Sequence, residues 1–219
     1  MFEYNGVKIN WLGHSAFRLT DSKGKVVYID PYEIKPAVPA DIILITHEHF
    51  DHCSFEDVSK IIKNNTVIVT TAAVKDKLRN IVAQFLLVVP GKSYDISGVK
   101  VEAVPAYNIN KFRSPGVTYH PEADNKVGFI LTMNGVRIYH AGDTDMTPGL
   151  ETKVKNIDIA IVPVSGTYVM TAEEAADAVN KIKPKIAVPM HYGSIIGSED
   201  DAKRFKSWAK VEVQILKRD

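Results

Sequence analysis

Short apolar runs alternate with segments of helical spacing along the first half of the chain. Apolar residues spaced three and four apart predict helices over residues 54–63, with Ser54 as N-cap, and over residues 72–82. The apolar runs are rich in β-branched and aromatic residues, which is typical of strands. The predicted strands are residues 7–12, 16–20, 25–30, 41–46 and 66–70. The proline-rich stretch 31–39 is interpreted as a rigid surface loop.

The second half repeats this order of elements. Asn134-Gly135 is a strong hairpin-turn signal between two apolar runs. A helix is predicted over residues 171–182, opened by Thr171 and Glu174 at capping-box spacing, and another over residues 200–210. The predicted strands are residues 99–105, 126–133, 136–140, 158–163, 185–189 and 211–216. Strands that alternate with helices in this way predict an α/β fold.

Composition narrows the class of protein. The 219 residues suit one domain made of two similar halves, about 1–98 and 99–219. The formal net charge is +1, without the basic excess typical of nucleic-acid-binding proteins. The single cysteine, Cys53, excludes an internal disulfide and is typical of a reducing compartment. No signal segment is visible and no apolar run approaches the roughly 20 residues that span a bilayer, so we expect a cytoplasmic protein.

The densest chemical signal follows the apolar strand predicted at 41–46. His47, His49, Asp51 and His52 fall within six residues there, and ligands in open α/β sheets collect beyond the carboxyl ends of strands. Imidazole and carboxylate groups suit zinc, manganese or iron. A polar loop with incidental histidines is the alternative, but four of the seven histidines would then lie at strand ends by chance. The run therefore predicts a metal site.

Two further candidates follow strands of the second half. Asp143 comes after the hairpin strand 136–140, where Gly142 permits a close backbone approach. A carboxylate offers two oxygens and can bridge two cations. His191 follows strand 185–189. Alone, Asp143 would be interpreted as a turn residue and His191 as a buried, hydrogen-bonded histidine, but their strand-end positions favour the metal site.

The chain resembles the metallo-β-lactamase-fold superfamily of hydrolases. The resemblance extends over nearly the whole chain and depends on the HxHxDH run at 47–52, the later Gly-Asp pair and the strand-end histidine. Gly13-His14-Ser15 and Ile29-Asp30-Pro31 resemble the branch that contains ascorbate-phosphate-lactone hydrolases. The resemblance implies a four-layer αβ/βα sandwich with two divalent metal ions, most simply zinc, at one edge. By resemblance, the first ion is bound by His47 and His49, the second by Asp51, His52 and His191, and Asp143 bridges them.

One position departs from the family pattern. The resemblance implies a third histidine after the strand that ends near Ala106, and this chain has Tyr107 and Asn108 there. Asn108 could offer a weak amide-oxygen ligand, or His120 could fold back from the following loop. A solvated loop residue is the alternative for His120. If neither residue binds, the first ion is held more weakly or the site works with one metal.

The implied chemistry is hydrolysis of a small ester, lactone or phosphodiester. A metal ion can lower the pKa of bound water to about 7 and polarise a carbonyl or phosphoryl oxygen. Asp51 would ligate metal and orient the water, and His14 is either a proton-transfer or substrate group or a hydrogen-bonded turn residue. Three residues are expected to orient the ligands: Asp30, Glu48 and Thr144. His140 is expected to support the loop, and Cys53 is expected to be a small buried side chain.

Two segments are candidates for contact with the substrate. The stretch 108–125 has no clear periodicity, and a long loop of this kind is often a lid. Its cations Lys111 and Arg113 could meet an anionic group, although a solvated charged loop is the alternative. Thr167 and Tyr168 lie between a predicted strand and helix and could line the same pocket.

Other functions remain open from the sequence. Di-iron oxidoreductases of this fold carry an acidic ligand where this chain has His49, together with a flavin domain for which there is no room. Nucleases of the family carry a large inserted domain, and none is visible. A non-catalytic metal-binding protein with a partly decayed site is the strongest alternative, because of the missing histidine. Pocket shape decides the substrate, and neither it nor the oligomeric state follows from the sequence.

Overall fold

The computed structural model describes residues 1–35 and 38–219. The loop predicted over 31–39 includes residues 36 and 37, which lie outside the described residues. The chain forms two compact units. The first comprises Met1–Val89 together with Leu216–Asp219, and the second comprises Pro90–Ile215.

The first unit is built on one seven-stranded sheet in sequential order. Strands β1 to β4 pair antiparallel, and β4 to β7 pair parallel with helices α1 (Phe55–Ile61) and α2 (Ala72–Lys77) in the connections. The strands are β1 (Phe2–Tyr4), β2 (Val7–Gly13), β3 (Ala16–Thr20), β4 (Val26–Ile29), β5 (Ile42–Leu44), β6 (Val67–Thr70) and β7 (Gln84–Leu87). Because the parallel strands end at one edge of the sheet, the loops after β4 and β5 become neighbours.

The apolar pattern explains these elements. Every residue of β5 is buried, as expected of a parallel strand covered on both faces. Ser54 begins α1 as predicted, its side chain accepting a hydrogen bond from the backbone of Asp57. Val58 and Ile61 of this helix are fully buried in the core of the unit. The loop after β5 is therefore fixed between a buried strand and a capped helix.

The second unit contains another seven-stranded mixed sheet, in the order β16-β15-β14-β13-β12-β9-β8. Its helices are α3 (Leu150–Lys153), α4 (Ala172–Ile182) and α5 (Glu199–Trp208). Strands β10 and β11 form a separate two-stranded hairpin. The strands are β8 (Ser93–Ile96), β9 (Val99–Pro105), β10 (Phe112–Ser114), β11 (Val117–Thr118), β12 (Val127–Met133), β13 (Val136–His140), β14 (Ile159–Pro163), β15 (Ile186–Met190) and β16 (Glu212–Val213).

Two local signals in the second unit are confirmed. Met133 pairs with Val136 across Asn134-Gly135, whose φ values of 49° and 75° suit a two-residue hairpin turn. The predicted capping box is present at the start of α4: Thr171 Oγ1 accepts from Glu174 N, and Glu174 Oε2 accepts from Thr171 N. Strands β13, β14 and β15 run parallel, so their carboxyl ends also share one edge.

Several predicted elements are corrected. The helix predicted over 72–82 ends at Lys77, and Val82 beyond it is 98% exposed. The strand predicted over 211–216 is reduced to Glu212–Val213. Residues 108–125 are not an irregular loop, since they contain β10, β11 and a short 3-10 helix at Glu122–Asp124. Strands β1, β7 and β8 were not predicted.

Residues 216–219 return to the first unit. Arg218 forms an isolated parallel bridge with Trp11, and its Nε donates to the carbonyl oxygen of Leu12 at 2.8 Å. Asp219 accepts a hydrogen bond from Asn10 Nδ2 at 2.7 Å. In the part of the chain that the structure describes, no helix is long and apolar enough to cross a membrane.

Candidate metal centre

The candidate ligands of the first unit lie in the loop between β5 and α1. Asp30 follows β4, and the parallel pairing of Ile29 with Leu44 sets it beside the start of this loop. The side chains of His47 and His52 are buried, whereas His49 and Asp51 are partly exposed. Two of the candidate ligands are therefore held inside the fold, and the other two reach towards its surface.

Asp30 orients His52. The Asp30 carboxylate is fully buried and accepts hydrogen bonds from Thr46 N, Thr46 Oγ1 and His52 Nδ1, each at 2.8 Å. A carboxylate accepts hydrogen bonds but does not donate them, so the His52 proton lies on Nδ1. The lone pair of His52 therefore lies on Nε2. This arrangement of carboxylate and histidine is typical of metal-binding imidazoles.

The same carboxylate acts on His47 through Thr46. The Thr46 hydroxyl donates its single proton to Asp30 Oδ2, so its oxygen is left to accept from His47 Nδ1 at 3.0 Å. The lone pair of His47 is therefore on Nε2, which lies 3.0 Å from His49 Nδ1. Thr46 had no predicted role, because its position beside a histidine carries no signal without the register of β4 and β5.

Asp51 is approached by two imidazoles of its own unit. Its Oδ2 lies 3.5 Å from His52 Nε2 and 3.0 Å from His14 Nε2. Ligand atoms of His14, Asp51 and His52 all lie within 4.8 Å of one another. The lone pair of His52 thus faces a carboxylate oxygen, an approach that a shared cation would stabilise.

His14 lies on a tight turn after β2. Its φ is 49°, its side chain is buried, and its backbone carbonyl accepts a hydrogen bond from Trp11 Nε1 at 2.9 Å. Gly13 precedes it with φ of 117°, and a Cβ there would lie 2.7 Å from Arg218 Nε. The turn therefore requires glycine, and Arg218 braces it from one side.

The second unit contributes a cluster around Asp143, which follows β13. Asp143 Oδ2 lies 3.2 Å from His191 Nε2 and 3.4 Å from His120 Nε2. All three side chains are buried. His120 is therefore not a solvated loop residue. The structure brings it beside the predicted bridging carboxylate.

Asn108 contacts His120 rather than offering a free ligand oxygen. Its Oδ1 accepts from the backbone N–H of His120 at 3.0 Å and lies 2.8 Å from His120 Nδ1. Its Nδ2 donates to the carbonyl oxygen of Tyr168 at 3.0 Å. Both acceptor directions of the amide oxygen are thus used by hydrogen bonds, which corrects the expectation of an amide-oxygen ligand.

His191 follows β15 and has a hydroxyl neighbour. Ser165, which follows the adjacent parallel strand β14, places its Oγ 2.9 Å from His191 Nδ1. Gly197 lies against this serine, since a Cβ on Gly197 would be 2.7 Å from Ser165 Cβ. Thr167 and Tyr168 of this loop were predicted to line the pocket, but Ser165 was not singled out from the sequence.

Residues 107–120 form an arm whose two limbs pair from Asn108 and His120 outward to the hairpin β10–β11. The loop after β13 holds the base of this arm. Thr144 Oγ1 accepts from Tyr107 N at 3.1 Å, and Asp145 Oδ2 accepts from Ile109 N at 2.7 Å. Thr144 was expected to orient an imidazole. In the structure it fixes the arm instead.

Lys111 also fastens the arm. Its side chain is 9% exposed, its Nζ donates to Glu174 Oε2 at 2.6 Å, and it lies 3.4 Å from Asp145 Oδ1. It hydrogen-bonds to Asn110 as well. Burial alone would raise the pKa of Glu174, but hydrogen bonds from Lys111, from the backbone of Thr171 and from Asn110 lower it overall. Lys111 is therefore paired with carboxylates of its own unit, which differs from both sequence-based alternatives, a solvated loop residue and a contact to an anionic substrate.

The remaining predicted residues vary in placement. Arg113 is exposed on β10, and Thr167 is exposed. The ring of Tyr168 meets that of Tyr119 on the arm, edge to face, with centroids 4.7 Å apart. Burial raises the pKa of Cys53 to about 11, so it remains a thiol in the core.

Glu48 and His140 each make a hydrogen bond within their own unit. The carbonyl oxygen of Glu48 accepts from Lys77 Nζ at 2.6 Å. His140 is fully buried, and its Nδ1 accepts from Gly142 N at 3.3 Å. His140 therefore supports the turn that precedes Asp143, as expected.

Comparison with known proteins identifies the family of the chain. Residues 8–191 match the model of the beta-lactamase superfamily domain. A UPF0173 metal-dependent hydrolase of Thermoplasma acidophilum is 35% identical over 216 residues, which cover 93% of this chain and 91% of that protein.

Solved structures agree as well. A crystal structure from Parabacteroides distasonis, of a protein assigned to the metal-dependent hydrolases, superimposes with a TM-score of 0.83 at 33% identity over 95% of this chain and 92% of that one. The metallo-beta-lactamase fold protein YhfI of Bacillus subtilis gives a TM-score of 0.73 at 11% identity, with 96% of each chain covered, and shows the shared fold alone. The α/β fold class and the resemblance inferred from the HxHxDH run are thereby confirmed. The chain belongs to the UPF0173 family of metal-dependent hydrolases, within the beta-lactamase superfamily.

Proposed function

We propose that the chain hydrolyses a small ester, lactone or phosphodiester with two divalent metal ions, most simply zinc. His47, His49 and His120 bind the first ion, Asp51, His52 and His191 bind the second, and Asp143 bridges them. Bound ions of this kind supply a Lewis acid and an activated water.

One observation carries the proposal. The Asp30 carboxylate can only accept a hydrogen bond, so it fixes the proton of His52 on Nδ1. The lone pair on His52 Nε2 is therefore directed at the Asp51 carboxylate. His120 Nε2 likewise faces the Asp143 carboxylate, and His47 Nε2 lies within hydrogen-bond distance of His49 Nδ1. Lone pairs that approach one another inside a protein are costly unless a cation or proton lies between them. Neutral imidazoles and carboxylates are also the donors that zinc prefers.

The chain's own residues have distinct tasks. Asp51 orients the attacking water, and His14 holds the Asp51 carboxylate through Nε2 at 3.0 Å. Exposed Arg113 and Thr167, with partly exposed Tyr168, are the candidates for binding the substrate. An arginine at the end of the arm favours an anionic group such as a phosphodiester.

The non-catalytic alternative loses its main support. It depended on the absence of a third histidine after β9, and His120 lies 3.4 Å from Asp143 Oδ2 although it is 13 residues later than Tyr107 in the sequence. The donor set is therefore fuller than the linear motif suggests. In a decayed site we would expect the substitute histidine to be exposed to solvent, whereas His120 is 1% exposed.

The test compares one ligand from each unit. His49→Ala and Asp143→Ala should each lower bound zinc, measured by elemental analysis, and reduce turnover of bis-p-nitrophenyl phosphate, p-nitrophenyl acetate and a γ-lactone at least 100-fold. Asp76→Ala, at an exposed position of α2, is the control and should retain both. If either ligand variant keeps wild-type zinc and turnover, the proposed ligand set is wrong. If the zinc-loaded wild type hydrolyses none of the three substrates, the proposed substrate class is wrong.

A further inference from the structure

We propose that Asn108 is a positioning residue that fixes the proton of His120 on Nδ1 and presents its Nε2 lone pair for metal binding. The inference rests on the proposed function in one respect only, namely that His120 binds metal. The hydrogen bonds that fix the imidazole are independent of any ion.

The orientation of the Asn108 amide is determined by its partners. The His120 backbone N–H can only donate, so the atom that contacts it at 3.0 Å must be the amide oxygen. The Tyr168 carbonyl can only accept, so the atom that contacts it at 3.0 Å must be the amide nitrogen. The two contacts agree, and the amide has one orientation.

This orientation decides the tautomer of His120. The amide oxygen lies 2.8 Å from His120 Nδ1, and an oxygen without a proton requires a donor there. The Nδ1–H form follows, and the lone pair of Nε2 is directed at Asp143 Oδ2, 3.4 Å away. Without Asn108 both ring nitrogens could carry the proton, and half of the possible neutral forms would place N–H where a metal must bind.

The backbone reinforces the pair. Asn108 N donates to the carbonyl oxygen of His120 at 2.8 Å, so the two residues are joined by main-chain and side-chain bonds. Asn108 is 4% exposed and His120 is 1% exposed, which keeps water from competing for these bonds. Asn108 thereby connects a ligand that lies late in the sequence to the strand end where the family pattern has a histidine.

The decisive readout is the tautomer in the metal-free protein. Long-range proton–nitrogen NMR of ¹⁵N-histidine-labelled apo protein should show His120 with a protonated Nδ1. Asn108→Ala should lose this signature, and Asn108→Asp, which keeps an acceptor oxygen, should restore it. A wild-type His120 that carries its proton only on Nε2 would overturn the inference.

Metal affinity supplies the second readout. Competition with a chromophoric chelator should show that Asn108→Ala weakens zinc binding about 10–100-fold, in the range typical for groups that orient a ligand. Asn108→Asp should recover most of this loss. Asn110→Ala is the matched control, because Asn110 lies on the same arm but its Nδ2 donates to Glu174. It should change affinity less than about twofold.

The outcomes separate the two proposals. Equal weakening in Asn108→Ala and Asn110→Ala would mean that Asn108 only stabilises the arm, and the inference would be wrong. If the wild type binds no zinc at all, the proposed function fails, and the NMR tautomer still decides whether Asn108 fixes His120.

Discussion

The carboxylate of Asp30 accepts a hydrogen bond from His52 Nδ1 at 2.8 Å, and neither side chain is exposed to solvent. The same carboxylate also accepts a hydrogen bond from the hydroxyl of Thr46, and the hydroxyl oxygen in turn accepts a hydrogen bond from His47 Nδ1. One buried group therefore determines which nitrogen of two imidazoles is available for metal. The arrangement depends on the parallel pairing of β4 and β5, which places the two strand ends side by side.

Asp30→Asn should reduce both stability and metal affinity. An amide has one acceptor oxygen, whereas Asp30 accepts on both oxygens, so at least one buried donor is left unsatisfied. We expect a loss of about 1–3 kcal/mol in the free energy of unfolding and of about 10–100-fold in zinc affinity. Urea denaturation and chelator competition measure the two.

Asp21→Asn is the control for that substitution. The hydrogen bonds that Asp21 accepts from the backbone of Lys23 and Lys25 both end on Oδ1, so the amide oxygen of asparagine can keep them. Its free energy of unfolding should stay within about 0.5 kcal/mol of wild type. Equal stability and zinc affinity in Asp30→Asn and the wild type would show that the buried carboxylate does not orient the histidines.

Ser165→Ala should affect metal binding more than folding. The change removes only the Oγ that lies 2.9 Å from His191 Nδ1 and keeps the Cβ that packs against Gly197. Zinc affinity should fall about 10-fold, while the free energy of unfolding should fall by no more than about 1.5 kcal/mol. Ser207→Ala, at a hydroxyl on α5 that donates to the carbonyl of Arg204, should leave affinity unchanged. Unchanged affinity in Ser165→Ala would exclude a role for the hydroxyl.

Glu174→Gln should loosen the arm in a pH-dependent way. The pKa of Glu174 lies below its ordinary value of 4.5: burial alone would raise it, but the hydrogen bonds from Lys111, Thr171 and Asn110 outweigh burial. A lowered carboxyl pKa contributes stability above about pH 4.5, and this stability is lost as the pH falls through the folded-state pKa. Wild type should therefore exceed Glu174→Gln in stability at pH 7, and the difference should shrink below pH 4.5.

Urea denaturation at several pH values measures this difference, and limited proteolysis between residues 107 and 120 reports the arm itself. Glu173→Gln is the matched control, because Glu173 is the exposed neighbour on the same helix. A stability difference between wild type and Glu174→Gln that is the same at every pH would contradict the assignment.

Gly128→Ala should destabilise the loop that leads to Asp143. A Cβ at this position of β12 would lie 2.5 Å from the carbonyl oxygen of Ala141 and 2.8 Å from that of His140. Overpacking of this kind typically costs about 1–3 kcal/mol. Thermal unfolding and zinc affinity should both fall. Gly116→Ala has open space around its Cβ, so its smaller effect would come from the positive φ alone; equal effects at both positions would show that the contact with Ala141 is unimportant.

Local signals predicted much of the fold. The capping box of α4 and the Asn-Gly turn of the β12–β13 hairpin depend only on neighbouring residues, and both were found. The end of α2 was missed for a physical reason. Ile81 N donates to the carbonyl of Leu78 in a turn beyond the helix, so the apolar spacing continues after helical geometry has stopped. The next strand, β7, lies at the edge of its sheet and shows no alternation that would have identified it.

The candidate ligands were predictable because their strand-end positions and the HxHxDH spacing are visible in the sequence. The choice between Asn108 and His120 was not, because it depends on how the arm folds back and on which oxygen accepts which proton. The partners of Lys111 were not predictable for the same reason: the sequence shows a cation in a polar stretch, and only the folded arm shows the Glu174 and Asp145 carboxylates around it.

The return of residues 216–219 to the first unit has a consequence for biosynthesis. The seven strands of that unit are synthesised before any of the second unit, yet the hydrogen bonds of Arg218 and Asp219 to Leu12 and Asn10 can form only after residues 218 and 219 have been translated. The nascent first unit must therefore persist without this closing segment. We expect the turn at Gly13 to become rigid last, so that the geometry around His14 matures only when translation has passed both units.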